Sequence, residues 1–222
     1  MKTTMTAIKP YPAALFALVA LAVLIGCSSA PAEGAGTDAS SGASKAGANM
    51  PSITQDMAPV RGAGTVLVVY FSQGSATKRV AEDLAALLGA DIERIVEQKS
   101  RTGFFGFMGA GADSSLGKST RIDTPVHDPV AYDAVVVCTP VWSWHLSPPV
   151  RTWLGLFKGK LPPRSVFVTV SGDTEPEKIV AMMEEASGAK PVAYAGFADR
   201  DFEQVNREAY LGKIRGLVTG LN

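Results

Sequence analysis

"TVLVVYFSQGSATKRVAEDLAALLG", Thr65 to Gly89, contains one strand, one turn and one helix in sequence. Thr65–Phe71 is an unbroken run of β-branched, apolar and aromatic residues. Such a run suits a strand buried on both faces, because a strand with one wet face alternates instead. Ser72-Gln73-Gly74-Ser75-Ala76-Thr77 then gives a small, hydroxylated turn. After it Val80, Leu84, Leu87 and Leu88 recur at helical spacing, and Gly89 supplies a C-terminal stop.

No internal sequence repeat is apparent, but further strand-like and helix-like segments follow along the chain. "YDAVVVCTPV" (132–141) and "RSVFVTVSG" (164–172) read as buried strands, and "PVAYAGFA" (191–198) is strand-like. "ADIERIV" (90–96) alternates Ile92, Arg94 and Val96 less cleanly, which suits an edge strand. "PPVRTWLGLF" (148–157) begins with prolines that fit a helix N-terminus. "TEPEKIVAMMEEASG" (174–188) is a helix with acids in its first turn, favourable against the dipole. "DFEQVNREAYLGKIRGLVTGL" (201–221) reads as a final amphipathic helix with Phe202, Val205, Ile214, Leu217 and Val218 inward. Strands alternating with helices imply an α/β fold: a doubly wound, five-stranded parallel sheet with helices on both faces. The order 2-1-3-4-5 fits, and it places ligands at the carboxyl ends of strands near the switch between the first and third. Residues 97–129 form an insertion where the second helix belongs. A connection this long should contain a helix. Its apolar, glycine-rich "GFFGFMGAG" (103–111) is a candidate for covering a ligand edge or meeting a partner. "GKST" (117–120) mimics the end of a nucleotide-binding loop, but Ala112 stands where that loop needs Gly, and no buried strand precedes it.

Three turns therefore matter. In the first, the N-terminal amides of a helix and the hydroxyls of Ser72, Ser75 and Thr77 suit a phosphate. Gly74 allows close backbone approach, and Lys78 and Arg79 add charge. A plain strand–helix turn with Ser/Thr caps is the alternative. "VVYFSQGSATKRVAEDLA" and "YDAVVVCTPVWSWHLSPPVRTWL" resemble flavodoxin-like proteins, and the resemblance spans about Thr65 to Leu221. It rests most on Tyr70-Phe71-Ser72 with Thr77, and on Thr139-Pro140-Val141-Trp142 with Pro148-Pro149-Val150. It implies noncovalent FMN, with Ser72, Gln73, Gly74, Ser75, Ala76 and Thr77 around its phosphate. Loops of that family usually run Ser/Thr-x-Thr-Gly-x-Thr; here Gly74 replaces the middle Thr and Ser75 the Gly. A positive φ at Ser75 would carry a cost, unless the loop shifts.

The second turn, Pro140-Val141-Trp142-Ser143-Trp144, carries two tryptophans able to stack on a flavin ring; Trp142 as a core wall is the alternative. His145 has no partner at ligand spacing, so it reads as satisfied or solvent-facing. Trp153 is expected in the core. The third turn, Ser171-Gly172-Asp173, sits where relatives place a loop beside the flavin. The resemblance implies that the amide of Gly172 or Asp173 bonds a ring carbonyl there, and Asp173-Thr174 reads equally as a helix N-cap.

The N-terminus is a targeting signal. A basic start, "MKTTMTAIKP", precedes the apolar stretch Ala13–Ile25. That stretch is shorter than the roughly 20 residues that span a bilayer, so residues 1–26 read as a signal peptide. Leu24-Ile25-Gly26-Cys27 resembles the lipobox of bacterial lipoproteins, in which the Cys is lipidated. Acyl chains hold by about 0.8 kcal/mol per buried CH₂, so several make attachment stable. Ser28 is not the Asp linked to inner-membrane retention, so a lipid-anchored domain outside the cytoplasm, at the outer membrane of a Gram-negative cell, is expected. Residues 27–60 are mostly Ala, Gly, Ser and Pro and read as a tether, leaving residues 61–222 as the folded domain. Cys138 ends an apolar run and reads as buried and inert.

With 21 basic and 21 acidic residues the chain has no electrostatic footprint for nucleic acid. No Ser-His-Asp, Cys-His or metal-ligand cluster appears in the sequence. The expectation is an FMN-binding protein of electron transfer or flavin-dependent reduction, with a quinone-like acceptor as one option and the redox partner unidentified. Near neutrality weakens the simple-carrier form, since such carriers use acidity to steer docking. The alternative is a flavin-free binding or scaffold lipoprotein on the same fold.

Overall fold

The computed structural model describes residues 51–99, 103–172 and 175–221, and the side chains of these apart from 103–108. The expected signal peptide, Cys27 and the tether up to residue 50 lie outside the described residues. The parallel strands are β1 (Val66–Tyr70), β2 (Asp91–Arg94), β3 (Ala134–Trp142), β5 (Arg164–Ser171) and β6 (Ala193–Ala198), in the order β2-β1-β3-β5-β6. The two-residue β4 (His145–Leu146) folds back antiparallel on the end of β3. The five parallel strands thus follow the expected 2-1-3-4-5 order, with β2 at an edge.

Alternate residues of the central strands feed two cores. Val66, Val68, Val136 and Val168 meet α1 (Ala76–Leu88) and α5 (Arg207–Thr219) on one face. Leu67, Val69, Val137 and Phe167 meet α3 (Pro148–Leu156) and α4 (Pro176–Ser187) on the other. Both neighbours being apolar explains why these strands do not alternate in sequence. Trp153 and Cys138 are fully buried, one in each core. β2 is different: Glu93 is buried while Ile92 and Arg94 are exposed. The Glu93 carboxylate accepts from the amides of Val126 (2.8 Å) and His127 (2.9 Å), which closes the edge. At the amino ends of β1 and β3, Asp133 Oδ2 accepts from Thr65 N at 2.8 Å and ties the two strands together.

The helix ends follow local chemistry. Gly89 (φ 59°) and Gly188 (φ 71°) end α1 and α4 in the left-handed conformation, and Pro148 and Pro176 open α3 and α4. The insertion contains a helix, α2 (Gly103–Ser115), as its length requires.

Two expectations are corrected. The tether does not extend to residue 60, because Ile53 is fully buried and Met57 and Val60 pack on the α1–α5 core. Arg207 binds Asp56 through Nε at 3.0 Å and reaches the Pro51 carbonyl at 3.3 Å; Arg79 also donates to that carbonyl. The final helix does not begin near Asp201. Two 3-10 turns, Asp199–Phe202 and Gln204–Asn206, precede Arg207, and they break at Glu203 (φ −82°, ψ 140°). The helical phase is lost there, so Val205 points outward and is 84% exposed, while Phe202, Ile214, Leu217 and Val218 are buried as expected.

Ile53→Ala should lower unfolding stability by about 2–4 kcal/mol, read as a lower urea midpoint. A shift indistinguishable from zero would mean that residues 51–57 are not part of the folded unit.

Candidate functional site

The three turns end adjacent strands. Tyr70 pairs with Cys138, Pro140 with Val170, and Ser171 with Ala198, so the turns after β1, β3 and β5 meet along one edge of the sheet. The parallel pairing alone is enough to bring them to the same edge.

In the first turn Ser72 and Thr77 are buried, Gln73 is exposed, and Ala76 starts α1. The Ser72 hydroxyl donates to the Gly74 carbonyl at 2.8 Å, so it shapes the turn. Ser75, at the N-cap, has φ −97° and ψ −26°. It is right-handed, and the feared cost of Ser in place of Gly does not arise. Sequence reasoning missed one residue here. Arg94, paired with Tyr70 across β1–β2, places its guanidinium 3.2 Å from the Ser72 carbonyl. Nothing local in "ADIERIV" signals this; only the strand register brings a cation to the turn.

The second turn is a tight hairpin. Val141 pairs with Leu146 and Trp142 with His145, leaving Ser143 and Trp144 as its two-residue loop. Both have positive φ, 48° and 61°. That is the geometry of a hairpin turn usually built from Asn and Gly. For L residues with a side chain it costs about 1–2 kcal/mol each. Trp144 also stands 66% exposed, so this aromatic gains little from the core. Trp142 is half-buried and meets Phe71 edge-on, ring centres 5.4 Å apart at 78°. The His145 Nδ1–H donates to the Ser143 carbonyl (2.7 Å), as a satisfied histidine should. Deeper down, Thr139 and Ser147 share a buried hydroxyl contact at 3.0 Å that ties β3 to the start of α3. Pro140 and Val141 are half-buried on the strand itself. α2 backs this hairpin: Ser114 Oγ donates to the Leu146 carbonyl at 2.9 Å.

In the third turn Ser171 is half-buried and Gly172 exposed; a Cβ on Gly172 would meet nothing within 4 Å. Asp173 and Thr174 lie outside the described residues. Glu175 is the N-cap of α4.

No family model matches this chain, and no curated protein matches it. Solved structures do. A flavoprotein from Lactobacillus acidophilus, crystallised in complex with FMN, has TM-score 0.53 and 19% identity, covering 62% of this chain and 95% of its own. A protein from Bacteroides eggerthii has TM-score 0.50 and 23% identity, covering 68% of this chain and 98% of its own. The fold is flavodoxin-like. In a flavodoxin-like sheet of this order the switch point lies between β1 and β3, where the first two turns sit side by side.

A separate cleft of about 430 Å³ opens on the β2 flank, between Ile92–Val96 and Ile122–His127. Beside it the Tyr132 hydroxyl donates to Asp91 at 2.8 Å, and its oxygen lies 2.7 Å from His127 Nδ1. Loss of solvation and the Asp91 carboxylate push the Tyr132 hydroxyl up to about 12 from 10.0.

Two outcomes follow. Ser143→Gly should raise stability by about 0.5–1 kcal/mol, less than the strain it relieves because Gly also loosens the unfolded chain; urea unfolding measures it. Tyr132 keeps its proton longer when folded, so stability should fall as pH rises from 10 toward about 12. Thermal unfolding across that window should show a shallower loss in Tyr132→Phe.

Proposed function

We propose that this chain binds FMN without a covalent bond and serves electron transfer or flavin-dependent reduction. The observation that carries the reading is the meeting of three turns along one sheet edge: a helix N-terminus with Arg94 beside it, a strained hairpin holding an exposed tryptophan, and an open glycine. The residues fit the group. The amides at the start of α1, with Ser75, Ala76 and Thr77, suit the phosphate, since a helix N-terminus attracts anions. Gly74 and Ser72 set the shape of that turn, and Arg94 adds positive charge. Trp142 and Trp144 supply aromatic faces for a flat ring, and Gly172 leaves the backbone open to a carbonyl. FMN supplies one- and two-electron chemistry, tuned by the stacking and charge around it.

Backbone strain kept at a turn points to function, because selection for stability alone favours Gly or Asn there. Ser143-Trp144 is such a turn, and it carries the aromatic that a flavin would use. The lipidated Cys27 and an outer-membrane location belong to the same proposal, supported by the signal-like residues 1–26 and the lipobox-like Leu24–Cys27. The unidentified partner is then a redox protein or a small acceptor at the envelope, with a quinone-like compound as one candidate.

Titration with FMN, followed by flavin fluorescence quenching and visible absorbance, should give binding near 1 µM or tighter, about −8 kcal/mol. Arg94→Ala and Trp144→Ala should each weaken it by roughly tenfold, about 1.4 kcal/mol. No quenching at high micromolar FMN would overturn the redox reading and leave a flavin-free binding module.

A further inference from the structure

The cleft of about 430 Å³ on the β2 flank shares no residue with the three turns, and Arg94 reaches both. Its volume falls in the range of small-molecule sites. The walls are aliphatic. Ile92, Ile95 and Val96 come from β2 and its continuation, Ile122 and Val126 from the segment beside it. Ile92 is 41%, Val96 47% and Val126 83% exposed, so the mouth is apolar and open to solvent. The walls are held together. Glu93 accepts from the Val126 and His127 amides, and the Asp123 amide donates to the Val96 carbonyl at 2.9 Å.

Trp153 lines this cleft from the core side. It is fully buried on α3, its ring against Phe157 with centres 4.8 Å apart. Its Nε1–H has no acceptor among the described residues. Buried donors are nearly always paired, because a hydrogen bond left unmade there costs the desolvation of the group. A phenylalanine would fill the core without an orphaned donor, so packing alone does not account for the indole. Other polar side chains of the lining are engaged within the protein. Asp123 Oδ1 accepts from Gln98 Nε2 at 3.0 Å, His127 Nδ1 lies 2.7 Å from the Tyr132 hydroxyl, and Arg94 donates to the Ser72 carbonyl.

We infer that the cleft is a second binding site, for a small, neutral, mostly apolar molecule with a carbonyl oxygen that accepts from Trp153 Nε1–H. The aliphatic walls fit its body. The lining carries the carboxylates of Glu93 and Asp123 against the guanidinium of Arg94, which disfavours an anion. An ammonium group cannot accept from the indole. A neutral carbonyl meets both conditions.

The test follows the indole N–H resonances of the isotope-labelled chain with no flavin added. The probes are acetophenone and α-methylstyrene, which has the same shape with a methylene in place of the carbonyl oxygen. Trp153→Phe identifies the Trp153 signal; where that variant fails to fold, Trp142→Phe and Trp144→Phe identify it by elimination. Acetophenone is expected to move the Trp153 signal downfield and saturably, and to bind about fivefold more tightly than α-methylstyrene. Ile92→Asp, a charge at the mouth, should abolish the saturable shift. A Trp153 signal unmoved at ~10 mM acetophenone overturns the inference. So do equal affinities for the two probes, or a shift that survives Ile92→Asp unchanged. FMN plays no part in this titration, so its failure and a failure to bind FMN are read separately.

Discussion

The central strands β1, β3 and β5 have no face left for water, and the rest of the molecule depends on that. Their residues are apolar on both sides, so helices must cover both faces. Covering both faces of a parallel sheet requires a crossover after each strand, and every crossover starts at the same edge. The candidate site is thus a by-product of burial. Three turns that share no contact in sequence are brought together because their strands must run parallel.

Within that frame the edge holds the least economical residues of the chain. Ser143 and Trp144 occupy left-handed backbone, and the indole of Trp144 stays outside the core. Folding gains nothing evident from either choice. The first turn shows the opposite case. Ser75, where a positive φ would have carried a cost, keeps an ordinary right-handed backbone. The resemblance raised the expectation of strain, and the dihedral angles show none.

The N-terminal strap joins these themes. Arg79 is bonded to Asp83 at 2.9 Å, and Asp83 also accepts from the buried Tyr210 hydroxyl at 2.7 Å. The Pro51 carbonyl is caught by this α1–α5 network, which holds the start of the described chain on the domain.

The sequence by itself determined the layers. Unbroken apolar runs marked the buried strands, helical spacing marked α1 and α4, and Gly89, Pro148 and Pro176 marked helix ends, because these are short-range effects of sterics and burial. It also located the three turns, since a strand followed by a helix exposes amides wherever it occurs. The tertiary structure decided what depends on partners distant in sequence. Ile53 reads as tether until the α1–α5 groove receives it. Val205 reads as core until the backbone breaks at Glu203 and its phase is lost. Arg94 reads as an edge-strand residue until pairing with Tyr70 sets it on the Ser72 carbonyl. Composition and periodicity report a residue's neighbours along the chain, whereas pairing register and groove packing bring together residues those neighbours cannot specify.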